Sequence, residues 1–121
     1  MLPRAHRLRR SAEFGHVVRR GSRATSSALV VHALTRTDLE PVRVGFVVGR
    51  SVGNAVHRNA VKRRLRHLMA ARLERLPDHS SVVVRANPAA AAADSGQLGT
   101  DLDTCLDTLA RRLTTRGLAR R

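Results

Sequence analysis

Aromatic side chains are nearly absent from this sequence, which contains two phenylalanines, Phe14 and Phe46, and no tryptophan or tyrosine. The hydrophobic core must therefore be aliphatic, and leucine and valine do recur along the chain. Stacking of aromatic rings on nucleic-acid bases has few side chains available.

Cysteine and long apolar runs are also scarce. The single cysteine, Cys105, excludes an intramolecular disulfide and a thiolate-rich zinc site, and we expect it in the core. No stretch approaches the roughly 20 apolar residues that a membrane-spanning helix needs. The first residues, MLPRAHRLRR, lack the apolar segment of a signal peptide. We therefore expect a cytoplasmic protein with no membrane partner.

Acidic residues are few: 9 Asp and Glu stand against 23 Lys and Arg, which gives a formal net charge of +14. This excess is larger than solubility requires of a small domain, and it predicts a polyanionic partner. The cations concentrate in three zones, at residues 1–23, 50–75 and 111–121.

The length of 121 residues fits one domain, spanning 1–121 and ending in a basic tail at 114–121. Periodicity and turn residues predict an α+β protein, a two-layer sandwich in which helices cover one face of a small sheet and leave the other face open. The predicted elements are a helix at 11–20, strands at 28–34 and 42–49 joined as a hairpin, a long helix at 52–76, a short strand at 82–84 and a helix at 98–113.

The long helix has a cationic face beside its apolar stripe. At about 100° per residue, five polar side chains fall within an arc of roughly 140°. Like charges at Arg58, Lys62 and Arg66 are neighbours on this face, so bound phosphates would relieve their repulsion. The alternative is that this helix face is merely solvated. A solvated face typically alternates charges of both signs, and no glutamate is interspersed among these cations, which argues against the alternative. Asn54 is the predicted N-cap, and the arc contains Arg58, Asn59, Lys62, Arg63 and Arg66.

Catalytic groupings are not evident. We find no serine–histidine–aspartate set, no paired carboxylates and no metal-ligand spacing, so we predict no catalytic and no metal-binding residues. Asp101, Asp103 and Asp107 suit the N-terminal part of a helix better than a metal site. The six histidines leave a histidine-catalysed nuclease as an alternative, although solvated histidines explain them more simply.

Residues 53–66 resemble the signature of the bacterial ribonuclease P protein subunit. The resemblance rests on Gly53-Asn54-Ala55-Val56, Arg58-Asn59 and the run from Val61 to Arg66. Flanking segments extend it over residues 4–113, through the predicted first helix, Arg43-Val44-Gly45-Phe46 with Gly49-Arg50, and residues 82–88. Several positions depart from the family pattern. Val18 and His32 stand where aromatic side chains commonly line the family's first helix and sheet. Ala60 replaces an arginine, whose contact is either lost or supplied by Arg63, and Ser51 replaces the second residue of a basic pair.

The resemblance implies a sheet of about four strands with a left-handed βαβ crossover, as in the second domain of ribosomal protein S5. It implies a non-catalytic subunit that binds a large catalytic RNA and the 5′ leader of precursor tRNA, with magnesium required by the holoenzyme, no cofactor on the protein alone and no obligate protein partner. The alternative is a general or ribosomal-type RNA-binding protein. The implied contacts to the catalytic RNA are Arg50, Asn54, Arg58, Asn59, Lys62, Arg63 and Arg66.

A leader cleft is implied between the first helix and the open sheet face. Strand alternation allows His32 to face this cleft, although a buried histidine at a strand edge is the alternative. Phe14 is either a leader contact or a core residue. Because one aromatic side chain is available, we expect leader affinity to rest on arginines and backbone more than on stacking. The predicted cleft residues are Phe14, Val18 and His32, flanked by Arg10, Arg19 and Arg85.

Overall fold

The computed structural model describes residues 2–119, with side chains described through residue 113. The helices are α1 (Ser11–Arg20), α2 (Ala55–Ala70) and α3 (Ser95–Ala119), and the strands are β1 (Ser22–Thr25), β2 (Leu29–Thr35), β3 (Arg43–Val47) and β4 (Ser80–Ala86). Single 3-10 turns lie at Arg4–His6, Arg50–Val52, Leu73–Arg75 and Pro88–Ala91.

The four strands form one mixed sheet in the order β1-β2-β4-β3. β2 pairs antiparallel with both β1 and β4, whereas β3 pairs parallel with β4. A parallel pair requires a crossover connection, and α2 supplies it between β3 and β4. This arrangement confirms the predicted α+β sandwich with a small mixed sheet and a βαβ unit.

The predicted hairpin between the second and third strands is wrong. β2 turns back on β1 instead, with Ala24 opposite Val31, and β4 separates β2 from β3. Strand β1 was not predicted because Ser-Arg-Ala-Thr is short and polar. The long helix also ends earlier than predicted, at Ala70, because the chain passes through a separate turn at Leu73–Arg75 before Pro77.

The main core lies between one face of the sheet and helices α2 and α3. From β2 the side chains of Leu29, Val31 and Ala33 point into it, as strand alternation predicted. Cys105 is fully buried there, and burial raises the pKa of its thiol. The two helices contribute the buried side chains of their apolar stripes: Val61, Leu65 and Met69 on α2, and Leu98, Leu102, Leu106 and Leu109 on α3.

Helix α1 packs on the opposite face of the sheet and forms a second, smaller cluster. Val17 of α1, Leu8 and Val83 of β4 are buried in it, and Phe14 and Leu34 pack against them. The expectation that helices cover only one face of the sheet is therefore wrong: α1 lies on the second face, and only the part of that face that α1 leaves uncovered is open.

The aspartates at the start of α3 have structural partners. The Asp101 carboxylate accepts hydrogen bonds from the backbone N–H of Ala28, at 2.8 Å, and from Ser27, so it ties α3 to the β1–β2 turn. Asp103 pairs with Arg72 and Arg75, each at 2.8 Å. Hydrogen bonds from these two arginines hold the pKa of Asp103 below its usual range.

Both outer strands of the sheet have covered edges. Leu8 donates its backbone N–H to the Val44 carbonyl of β3 at 2.9 Å. At the other edge, Arg112 of α3 donates to the Arg23 carbonyl of β1. These contacts occupy backbone groups that would otherwise be available to another strand.

The predicted basic tail, residues 114–121, lies outside the described side chains; its backbone continues α3 as far as Ala119. No helix in the described part combines the length and apolar character needed to traverse a bilayer.

Candidate nucleic-acid interface

The start of α2 is set by a glycine and an asparagine. Gly53 has φ +151°, a conformation that side chains rarely permit. Asn54 follows as the N-cap, and its Oδ1 accepts a hydrogen bond from the His57 N–H at 3.0 Å. The predicted cap is thus confirmed. Arg50 lies just upstream and is exposed in the short turn that connects β3 to this helix.

The α2 cationic face, defined as Arg58, Lys62, Arg63 and Arg66 with Asn59 among them, lies beside the buried stripe of the helix. Arg63, Arg66 and Asn59 are exposed, whereas Arg58 and Lys62 are half-buried. Ala60, at the position where the family pattern has an arginine, is half-buried and contributes no charge.

The cations of this face have no acidic partner within the described part of the chain. Among the described residues, the acidic side chains that form ion pairs do so with Arg36, Arg43, Arg72 and Arg75. None of these arginines belongs to the α2 cationic face. The Nε of Arg58 is buried and has no hydrogen-bond acceptor among the described residues. A buried donor without an acceptor costs free energy, and a phosphate oxygen would satisfy it.

On the second face of the sheet, strand pairing arranges side chains in rows. One row runs from β1 to β3 through the paired residues Thr25, Val30, Arg85 and Val47. The next row contains Arg23, His32, Val83 and Gly45.

Helix α1 covers Val83 and Gly45 of the second row and leaves the first row open. A Cβ on Gly45 would overlap the Phe14 ring, so the ring lies directly on the β3 backbone. Val18 is 39% exposed and lies on the flank of α1 opposite to Glu13 and His16, which border the Leu34 end of the sheet. The flank of α1 and the open row together form the sheet cleft, defined by Phe14, Val18, Arg23, Val30, His32, Val47 and Arg85.

His32 lies on the floor of the sheet cleft. Its side chain is buried, and its Nδ1 has no hydrogen-bond partner in the described structure. Burial first, and then the positive charges of Arg23 and Arg85, lower the pKa of His32, so the ring is neutral at neutral pH. Because the His32 ring is neutral, the positive charge of this surface comes from the guanidinium groups of Arg23 and Arg85.

The structure separates two of the predicted cleft residues from the others. Arg10 is exposed at the N-terminal end of α1, in a recess with other arginines. Arg19 is exposed on α1, and its guanidinium lies over Gly15. Arg85, in contrast, is exposed on the open row of the sheet, and His32 lies buried in the row next to it.

Three residues of the sheet cleft were not predicted as site residues: Arg23, Val30 and Val47. Strand alternation already places Val30 on the same face as His32, whereas the position of Val47 depends on the pairing of β3 with β4. Arg23 could not be found because its strand was not predicted.

A basic α+β protein with an uncompensated cationic helix on one side of its sheet and an arginine-lined cleft on the other is a nucleic-acid-binding protein. The chain belongs to the ribonuclease P protein family, since the family model described as Ribonuclease P matches residues 2–110.

Relatives agree with this assignment. The ribonuclease P protein component of a Nocardioides species is 53% identical over 108 residues, which cover 88% of this chain and 92% of the relative. That of Acidothermus cellulolyticus is 48% identical over 118 residues, covering 97% and 98%.

Solved structures show the same fold. The RNase P protein from Thermotoga maritima matches with a TM-score of 0.72 and 25% identity, covering 87% of this chain and 96% of that one. The protein from Staphylococcus aureus matches with a TM-score of 0.77 and 23% identity, covering 85% and 94%. The chain is therefore a protein subunit of ribonuclease P that works with the ribonuclease P RNA.

Proposed function

We propose that this chain assists the removal of the 5′ leader from precursor tRNA, while the RNA subunit performs the cleavage. The observation that carries the proposal is the α2 cationic face, whose charges are uncompensated and whose Arg58 Nε lacks an acceptor within the described chain. Such a face binds phosphates without needing a reactive group. The cytoplasm is the compartment in which we expect this to occur.

The protein residues do not fit a magnesium ion. Within residues 2–119, no three histidine, cysteine, aspartate or glutamate side chains are grouped closely enough to hold a metal. Asp101 and Asp103 already bind backbone and arginine groups. We therefore assign the magnesium expected for the holoenzyme to no residue of this chain.

We assign the 5′ leader to the sheet cleft. Val30 and Val47 offer an apolar floor, and Arg23 and Arg85 offer phosphate contacts beside it. The row ends at Val47, three residues before Arg50 and close in sequence to the start of α2. A single strand in the cleft would thus pass close to the RNA surface proposed for α2.

Reconstitution tests the proposal. At low magnesium concentration, the chain should restore cleavage of a precursor tRNA by a bacterial ribonuclease P RNA, and the chain alone should cleave nothing. Cleavage by the chain alone would identify a histidine-dependent nuclease. Binding to the RNA without any stimulation would indicate a general RNA-binding protein.

Crosslinking from leader nucleotides tests the cleft in the same reconstituted enzyme. We expect crosslinks at residues 14–32, 47 and 85. Crosslinks confined to residues 54–66 would show that the leader lies on α2 and would contradict the assignment.

A further inference from the structure

The segment before α1 runs along the outer edge of β3 and forms a second cationic surface. Arg7 forms an isolated parallel β-bridge with Val44, and the Leu8 backbone N–H donates a hydrogen bond to the Val44 carbonyl. Beside this edge lies a recess of about 680 Å³, the N-terminal arginine recess, lined by Arg4, Ala5, Arg7, Arg9, Arg10, Glu13, Glu40, Pro41 and Arg43.

The recess has an excess of positive charge. It contains five arginines and two glutamates, so three cationic charges are uncompensated. Both glutamates pair with Arg43, Glu13 at 3.8 Å and Glu40 at 3.4 Å. The exposed side chains of Arg4 and Arg9 have no acidic partner in the part of the chain that the structure describes.

The recess and α2 both adjoin β3. α2 packs against β3 from the first face of the sheet, and residues 4–10 border the outer edge of that strand. From Arg58 to Arg66, α2 advances about 12 Å at ~1.5 Å per residue. This direction leads toward the start of β3, because Ala70 and Val42 line one common pocket there. The start of β3, Arg43, also lines the recess.

The sheet cleft, in contrast, opens on the second face between α1 and the row that ends at Val47. A leader strand in that cleft would lie at the other end of β3, about 13 Å from Arg43 along a strand that rises ~3.3 Å per residue. One large RNA against the β3 side could therefore contact α2 and the recess without entering the cleft.

We propose that the N-terminal arginine recess is a second docking surface for the ribonuclease P RNA, which it holds by backbone phosphates. The recess and the α2 cationic face then bind one RNA at two points, on either side of the β3 edge. This inference rests on the proposed function, because it assumes the same RNA partner.

The test is the affinity of the full chain for a bacterial ribonuclease P RNA, measured over a range of salt concentrations without substrate. Arg4→Ala/Arg9→Ala should weaken binding by about tenfold or more at low salt and lower the salt slope by about 0.9 per lost contact. The matched control is Arg20→Ala/Arg111→Ala, which removes the same charge from exposed positions outside both surfaces and should change the slope far less.

Three other results would overturn the inference. An equal loss in both double variants would show a general charge effect. An unchanged affinity in Arg4→Ala/Arg9→Ala would show a solvated surface. A loss seen only in precursor tRNA binding, by holoenzyme saturated with protein, would place the substrate in the recess. Failure of the wild-type chain to stimulate the ribozyme would instead contradict the proposed function.

Directed cleavage gives a second measurement that does not depend on affinity. Because the only cysteine, Cys105, is buried, a cysteine introduced as Arg9→Cys can be labelled selectively with a hydroxyl-radical reagent. We expect cuts in the ribonuclease P RNA at positions distinct from those produced by Arg63→Cys. Absence of cuts from residue 9, with cuts from residue 63, would contradict a second contact.

Discussion

At the scale of single residues, the contact between Gly45 and Phe14 determines how α1 lies on the sheet. The Phe14 ring occupies the space that any side chain at residue 45 would need, and the Leu8 Cβ lies 3.1 Å from the same position. A glycine in a strand lets another group approach the backbone closely. Phe14 is therefore both a packing residue and the inner wall of the sheet cleft.

Gly45→Ala should destabilise the protein by about 1–3 kcal/mol, because the added methyl group overlaps the Phe14 ring and forces α1 to shift. Urea denaturation measures the change in the free energy of unfolding. The matched control is Gly49→Ala, since a Cβ there meets no atom within 4 Å. Equal stability of the two variants would show that α1 adjusts freely.

The stability contribution of Asp103 depends on pH. Its pKa in the folded protein lies below that of the unfolded chain because Arg72 and Arg75 donate hydrogen bonds to it. The contribution is therefore present above the unfolded pKa and is lost as pH falls through the lower, folded value.

The Asp103→Asn variant should consequently be less stable than the wild type at neutral pH. On acidification its stability should fall by less than that of the wild type. The loss at neutral pH should be modest, because the carboxylate is 43% exposed. Denaturation of both proteins at neutral pH and at about pH 3 measures the free energy of unfolding under the two conditions. Glu74→Gln is the control, since Glu74 is exposed and forms no ion pair within the described residues. Parallel pH profiles for wild type and Asp103→Asn would refute the argument.

At the scale of elements, α2 must begin sharply at Asn54 for the cationic face to be presented. The Asn54 side chain caps the helix, so its structural role and its proposed RNA contact can be separated by substitution.

Asn54→Ala should cost about 1 kcal/mol of stability because the cap acceptor is lost. Asn54→Asp keeps an acceptor and should fold as stably as the wild type, yet its carboxylate should repel phosphates and weaken binding to the ribonuclease P RNA. Thermal denaturation and RNA titration on both variants measure the two effects. Undiminished RNA affinity of Asn54→Asp would remove Asn54 from the interface.

Local signals predicted some elements well and others poorly. The Ser11 to Arg20 helix and the Asn54 cap depend on neighbouring residues, and both are confirmed. The partner of β3 depends on residues about 40 positions away, which no local pattern specifies. The same limit applies to the sheet cleft, whose floor joins residues from β1, β2, β3 and β4. The role of each site residue in RNA binding stays a prediction.

At the scale of the whole molecule, the arginines fall into two groups with different roles. The ion-paired arginines, including Arg72 and Arg75, join structural elements to one another. The arginines of the α2 cationic face, and those of the N-terminal arginine recess other than Arg43, are left to external anions. In the free protein, with its net charge of +14, like charges therefore repel one another within the molecule, and a bound RNA removes this repulsion.

Salt should consequently affect folding and binding in opposite directions. Raising the salt concentration should stabilise the free protein by screening its repulsion, and should weaken RNA binding with a steep log–log slope. Arg58→Ala/Lys62→Ala/Arg66→Ala should reduce both dependences, the binding slope by roughly 0.9 for each lost contact. Urea denaturation and RNA titration across the same salt series measure them. A triple variant with unchanged slopes would show that these cations are merely solvated.

The position of Val83 in the small cluster under α1 has a consequence for synthesis on the ribosome. Val83 belongs to β4, one of the two central strands. The sheet surface that the apolar side of α1 covers is therefore incomplete until about two thirds of the chain has been made. The first helix to leave the ribosome is then among the last to dock. During that interval Val17 and Leu8 are accessible to chaperones, so this early segment, with little acidic charge of its own, is where we expect nascent-chain binding to concentrate.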